Sequence, residues 1–296
     1  MAFAERILNV RYDLAQSAFP DGSHTLSLQG HRVQAQIATL SAGSLASYVL
    51  ALRVYGMRMS DMDALSQWNT LGALIGENEI TLSASSPGTS FNALRTVFSG
   101  TIYAAVVEIE DNGESALVVF AQGGLYERLA PNAPNTYPGA QDVASIISGL
   151  AKQAGFTFQN HGVTAKIANQ YLWGSVLDQI ERVAEAAQVV MLIDNARTVH
   201  IWPNSLVPDF AQIDLSANNG LIGYPKFVEQ GIQVRAEFRP DFLYGQVVNL
   251  KSVIPRASGS WQVGAITHEL STMTPGGPWF STMTLVSQGL NLARKN

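Results

Sequence analysis

Apolar and polar residues alternate along most of this chain. Leu8/Val10/Tyr12 interleave with Ile7/Asn9/Arg11, and Val33/Ala35/Ile37 and Tyr48/Leu50/Leu52/Val54 each mark one face of a strand. Near the C-terminus Ile232/Val234/Ala236/Phe238 alternate with Gln233/Arg235/Glu237, and Phe280/Thr282/Thr284/Val286 keep the rhythm. Trp261/Val263/Ala265/Thr267 against Gln262/Gly264/Ile266/His268 predicts one further uninterrupted strand. A period of two is that of a half-buried strand. Residues 24–28, 79–84, 96–110 and 116–121 read the same way, with Pro20-Asp-Gly-Ser23 and Asp111-Asn-Gly-Glu114 as turns. Over residues 3–128 one helix is expected, 60–68, capped by Ser60 with Asp63 at its third position.

The period changes after residue 139. Val143, Ile146, Ile147, Leu150 and Ala154 fall on one helical face, capped by Asp142 and ended by Gly155. Phe156-Thr-Phe158 is a short strand. Ser175 opens a second helix that buries Leu177, Ile180, Ala184 and Ala187, with Asp178 at its third position. Residues 189–193 and 198–202 form a hairpin around Asp194-Asn-Ala-Arg197. Three prolines and two asparagines in 130–139 predict a linker without regular structure. The expected fold class is mainly β with an α+β insertion. A β domain over 1–129, the linker 130–139, an α+β domain over 140–204 and a second β domain over 205–296 follow, each β domain a small barrel or sandwich.

Composition narrows the function. Without cysteine there is no disulfide, thiolate metal site or thiol nucleophile. A net charge of −5 argues against a basic nucleic-acid footprint, though not against a passage through which DNA slides. Charged residues are 14% of the chain, against roughly 25% in an average soluble domain. Either the surface is neutral and rich in Ser, Thr, Asn and Gln, or much of it is buried against other subunits. Residues 33–52 carry no charge, but their polar positions and the turn at Ser41-Ala-Gly-Ser44 make a hairpin a better account than a membrane span. Glu5 and Arg6 interrupt the N-terminus before any apolar run, so no signal peptide is read and a soluble protein made in the cytoplasm is expected.

No constellation of catalytic or ligating residues stands out. His24, His31, His161, His200 and His268 show no metal-ligand spacing. Asp61/Asp63 is a carboxylate pair better explained by a helix's first turn. His268-Glu269 are strand neighbours that point to opposite faces. Trp68, Trp173, Trp202, Trp261 and Trp279 could stack sugars, but four of them sit beside apolar periodic positions. Neither a phosphate loop nor a nucleophile elbow is present. The expectation is no catalytic residue, no metal and no cofactor.

Several stretches resemble the baseplate hub family of contractile bacteriophage tails, the tail protein D-like hubs of the Mu and T4 type. They are Val54-Tyr-Gly-Met with Met62-Asp-Ala-Leu-Ser, Phe98-Ser-Gly-Thr-Ile, Val118-Val-Phe-Ala-Gln-Gly-Gly, Phe238-Arg-Pro-Asp-Phe-Leu-Tyr-Gly-Gln-Val-Val, Trp261-Gln-Val-Gly-Ala-Ile-Thr-His-Glu-Leu-Ser and Gly277-Pro-Trp-Phe-Ser-Thr-Met-Thr-Leu. Their order covers most of the chain. The resemblance implies two tube-type β-barrels flanking the α+β unit, and a homotrimer that presents six barrels to a six-fold tail tube and three-fold symmetry to a spike. It implies a non-enzymatic symmetry adapter in the virion tail baseplate, without membrane insertion. Its partners would be the tail spike, the tube or tube-initiator protein, and the tape measure and DNA in a central channel. Gly56, Gly100, Gly245, Trp261 and His268 would be structural positions. Two other classes stay open: a tail-associated peptidoglycan hydrolase using Asp61/Asp63 or His268/Glu269, and a carbohydrate-binding β-module using its tryptophans.

Overall fold

The structure is a computed structural model that describes residues 6–42, 44–66, 78–85, 94–109 and 113–288. Gly43, Trp68, Asp111 and Asn112 lie outside them, as does the end of the helix expected over 60–68. Strands β1 (Leu8–Asp13), β2 (Thr25–Gln29), β3 (Val33–Ala42), β4 (Leu45–Tyr55), β5 (Glu79–Ala84), β6 (Arg95–Ile109) and β7 (Ser115–Gln122) pair in the order β3-β4-β7-β6-β5-β1-β2. The charge-free stretch is the β3–β4 hairpin, in which Val33 faces Val54, Ala35 faces Leu52 and Ile37 faces Leu50. Residues of all seven strands share one core that includes Val10, Ile37, Leu50, Ile80, Phe98 and Val119. The sheet must curl on itself for that to happen.

Helix α1 (Met59–Leu65) begins before the expected cap. Arg58 is the N-cap without a side-chain bond, so Ser60 and Asp63 lie inside the helix and cap nothing. Burial of Met62 and Leu65 in the first core sets its phase, and core packing outweighs a cap worth about 1 kcal/mol. Helix α2 (Leu125–Leu129) was not expected. It starts at Gly124, whose φ of +75° suits glycine. A Cβ there would stand 2.9 Å from Ile193 Cδ1 and 3.1 Å from Leu177 Cδ1. Glycine therefore lets the insertion approach the first core.

The insertion holds β8 (Asn135–Asp142), α3 (Val143–Gln153), β9 (Thr157–Asn160), β10 (Lys166–Leu172), α4 (Val176–Ala186), β11 (Val189–Ile193) and β12 (Thr198–Pro203). The expectation of an unstructured 130–139 is corrected by β8, which pairs with β10 in a separate two-stranded ribbon. Pro138 is accommodated because the register shifts beside it, and the Gly139 N–H donates to Asn169 Oδ1 at 2.9 Å. At α4 the expected cap forms: Asp178 N donates to Ser175 Oγ at 3.1 Å, and Ser175 N donates to the Asp178 carboxylate at 3.0 Å. Ile147, Leu150, Leu177, Ile180, Met191 and Ile201 build a second core. The opposite face of the β11–β12 hairpin, with Val190, Leu192 and Trp202, enters the first core. Burial on both faces is why 189–193 is unbroken apolar sequence.

Strands β13 (Ile213–Ser216), β14 (Leu221–Val228), β15 (Gly231–Glu237), β16 (Val247–Lys251), β17 (Gly259–Ser271) and β18 (Trp279–Ser287) surround a third core with Ile232, Val234, Val248, Val263, Ile266 and Leu285. They run in the order β14-β15-β18-β17, with β16 on β17 and β13 parallel to β16. The alternation expected through β17 is broken by a bulge at Gly264, where the register on β18 shifts between Val263 and Ala265. Val263 and Ile266 consequently both enter the third core, while Ala265 is exposed. Residues 267–271 of β17 then pair with 34–38 of β3, so one sheet runs through both strand groups. The molecule is mainly β with an α+β insertion. Among the described residues no helix is long and apolar enough to cross a membrane.

Candidate functional site

The residues weighed from sequence do not converge. Asp61 is half-buried and Asp63 exposed on α1. His268 is buried between β3 and β18, opposite Ile37 and Ser281. Its Nδ1 lies 2.7 Å from Ser281 Oγ, and Phe238 meets its ring edge-on at 5.3 Å. Desolvation pulls its pKa down to about 4, which keeps the imidazole neutral. Glu269 leaves from the other face of the strand, half-buried. Trp202 is in the first core and Trp279 packs against it, and Trp261 Nε1 donates to Ala257 O at 2.9 Å. Trp173 is exposed, but the Arg182 guanidinium lies 3.6 Å from its ring centre and covers one face. Two of the family-like glycines have steric reasons: a Cβ at Gly100 would fall 2.6 Å from Gln122 O, and Gly245, at φ +82°, packs on Trp202.

The structure gathers polar chemistry elsewhere, around the β11–β12 turn. Asp194 accepts from Ala196 N at 2.9 Å and Thr198 N at 2.7 Å, which closes the turn and brings Arg197 to φ +59°. From this turn two networks leave. Arg197 spreads its guanidinium over Glu79 of β5 and Glu127 of α2, one carboxylate on each nitrogen arm. Burial pushes the Glu79 carboxyl up, and Arg197 opposes that shift. These three residues, with Tyr126, Gln153 and Val176, border a cavity of about 400 Å³.

The second network is a chain of four side chains. Asp194 Oδ2 accepts from His200 Nε2 at 3.1 Å, His200 Nδ1 faces His161 Nε2 at 3.0 Å, and His161 Nδ1 bonds Asp209. The hydrogen bond from His161 holds the Asp209 carboxyl below its usual range. Phe210 meets both imidazoles edge-on, at 4.7 and 5.2 Å. His200 sits on β12 and His161 just past β9, brought level by parallel pairing in which Asn160 aligns with Ile201.

The site is thus a joint. One turn ties the first strand group, through Glu79 and Glu127, to the segment that leads into the third core, through Asp209 and Phe210. Among the described residues no three acidic, histidine or cysteine side chains are placed to hold a metal. Sequence reading missed the joint because most of its partners lie 39 to 118 residues apart; Asp194 and Arg197 were marked only as turn residues, and His161 and His200 only as histidines without ligand spacing.

Known structures give this architecture its context. A 43 kDa tail protein of prophage MuSo2 from Shewanella oneidensis superposes with a TM-score of 0.61 at 9% identity, covering 96% of this chain and 98% of that one. The tail protein from Neisseria meningitidis MC58 gives 0.61 at 8%, covering 98% of both. Escherichia coli c3393, a type VI secretion component described as structurally similar to T4 tail proteins gp27 and gp5, gives 0.53 at 10%, covering 90% and 76%. The fold is that of phage tail proteins. Residues 62–275 match the profile of the baseplate hub gp41 family, and the chain belongs to that family. It is a structural protein of the phage tail baseplate. No curated protein matches the chain in sequence.

Proposed function

We propose that this chain is a trimeric, non-enzymatic adapter that joins a six-fold tail tube to a three-fold spike around a central channel. The observation that carries this is the sheet that continues from the first strand group into the third core through β17. A shared backbone ladder fixes two strand bodies at one spacing, which a subunit presenting two similar modules to a six-fold ring requires. The division into domains at 1–129, 140–204 and 205–296 is proposed with that role. Low charge, at 14% of residues, suits obligate interfaces, which run to roughly 2,000 Å² or more. The outer strand β14 leaves Tyr224 and Phe227 largely exposed, as a strand covered by a neighbour would. The tape measure and DNA would pass through the channel, and the protein would be made in the host cytoplasm before assembly.

Native mass spectrometry tests the proposal. The expected mass is three times 31.9 kDa, and imaging of that species should show a ring with pseudo-six-fold character. A protein that stays monomeric both alone and with the spike protein would remove the adapter role. Clearing of peptidoglycan in a zymogram would contradict its non-enzymatic part.

A further inference from the structure

The four-residue chain has a fixed proton count. An ionised carboxylate can only accept, so His161 Nδ1 and His200 Nε2 must each carry hydrogen toward Asp209 and Asp194. The contact between the rings, at 3.0 Å, needs one hydrogen and one lone pair. That makes three protons on four nitrogens, one more than two neutral imidazoles hold. The ring pair therefore carries a single positive charge between two carboxylates. A fourth proton would set two N–H groups face to face, and loss of the third would set two lone pairs face to face or leave a carboxylate unmet. Only one protonation state satisfies every contact.

Burial makes the count matter. The His161 and His200 side chains are 9% and 6% exposed, while Asp209 is 84% exposed. The outer end of the chain thus meets solvent and can exchange protons, while the inner contact is made directly between two buried rings. The charged groups around it are few. Asp194 lies at the turn end, where Arg197 is already taken by Glu79 and Glu127. Asp209 is at the other end, the buried Tyr48 hydroxyl lies within electrostatic reach of Asp194, and the ring of Phe210 packs on both imidazoles.

We infer that Asp209, His161, His200 and Asp194 form a proton-binding latch, which holds segment 204–212 on the insertion with one proton and releases it when a second arrives. Asp209 and Phe210 are on the segment that joins β12 to β13. Release would loosen the link from β12 to β13 while leaving the packing of Trp202 on Tyr244 and Gly245 and the β17–β3 seam in place. The inference does not depend on the trimeric adapter role and would hold for an isolated subunit.

The test is a pH series on the full chain, with selectively ¹⁵N-labelled histidine and with hydrogen exchange of the peptide 204–212. Coupled sites titrate in two separated steps that belong to the pair. The ¹⁵N spectrum should show His161 and His200 gaining protons as a coupled pair, with hydrogen on His161 Nδ1 and His200 Nε2 in the latched state. Exchange of 204–212, corrected for its intrinsic rate, should rise about tenfold between pH 7 and pH 5, as expected for local opening. H200Q should flatten that profile. D209N, at an exposed position that folding tolerates, should weaken protection at pH 7 and remove most of its pH dependence. Independent single-step titration of the two histidines in the unaltered protein would overturn the latch. So would protection of 204–212 that is unchanged across the range, or a pH profile that H200Q and D209N share with the unaltered protein.

Discussion

The first and third cores meet along backbone, whereas the insertion meets its neighbours largely through side chains. In the seam, 267–271 of β17 pair with 34–38 of β3, and His268 fills the space with no charge. In the joint, only Met191 and Leu192 of β11 pair with Leu45 and Ala46 of β4. Apolar packing of Val190, Leu192 and Trp202 adds to it, as do the Arg128–Glu181 pair, Arg197 and the histidine chain. Backbone ladders are indifferent to pH and salt, and ion pairs are not. The same fold therefore contains one connection built on backbone, which feels pH only through the buried His268, and one built on ionised side chains, which feels both pH and salt.

The largest test strikes the seam. Ile37 is fully buried opposite His268. Truncation as I37A should cost about 3 kcal/mol. Urea unfolding followed by probes in the first and third cores should shift to lower midpoint at both together. Separate transitions would show that the seam does not couple them.

The second test uses pH. The folded pKa of His268, about 4, lies below its ordinary 6.5, so the unfolded chain takes up a proton that the native seam refuses. Stability from this group is fully present above pH 6.5 and falls as pH drops toward 4, by about 3 kcal/mol in all. H268Q should flatten that part of the pH–stability curve, measured by chemical denaturation.

The third strikes the joint. R197M strands Glu127, whose side chain is only 7% exposed, and should cost about 2 kcal/mol, less than a fully buried pair because Arg197 itself is 26% exposed. Adding E127Q should recover about half of the loss, because an amide is cheaper to leave unpaired than a charge. Calorimetry of both variants checks this, and an unchanged Tm in R197M would mean that packing alone holds the insertion. The smallest effect should come from S175A, which removes the α4 cap and should cost about 1 kcal/mol. Hydrogen exchange should show faster opening in α4 and no change across the seam.

The amino-acid sequence by itself determined the local elements. Alternation marked β3, β4 and β15, helical spacing marked α3 and α4, and Ser175 with Asp178 marked a capping box, because these signals depend on residues within a few positions of one another. It also carried the family, through short words in a fixed order. Tertiary structure alone decided the rest. The phase of α1 followed the burial of Met62 and Leu65 rather than Ser60, and β8 formed across Pro138 because β8 itself bulges there against β10. Gly264 turned β17 from one face to the other. The joint arose because parallel pairing of β9 with β12 brought His161 beside His200, and because Gly124 let the insertion come close enough for Arg197 to reach Glu79 and Glu127. Hydrophobic period is written along a chain, but contact between distant polar groups depends on how separate elements are brought together, and no spacing in sequence encodes that.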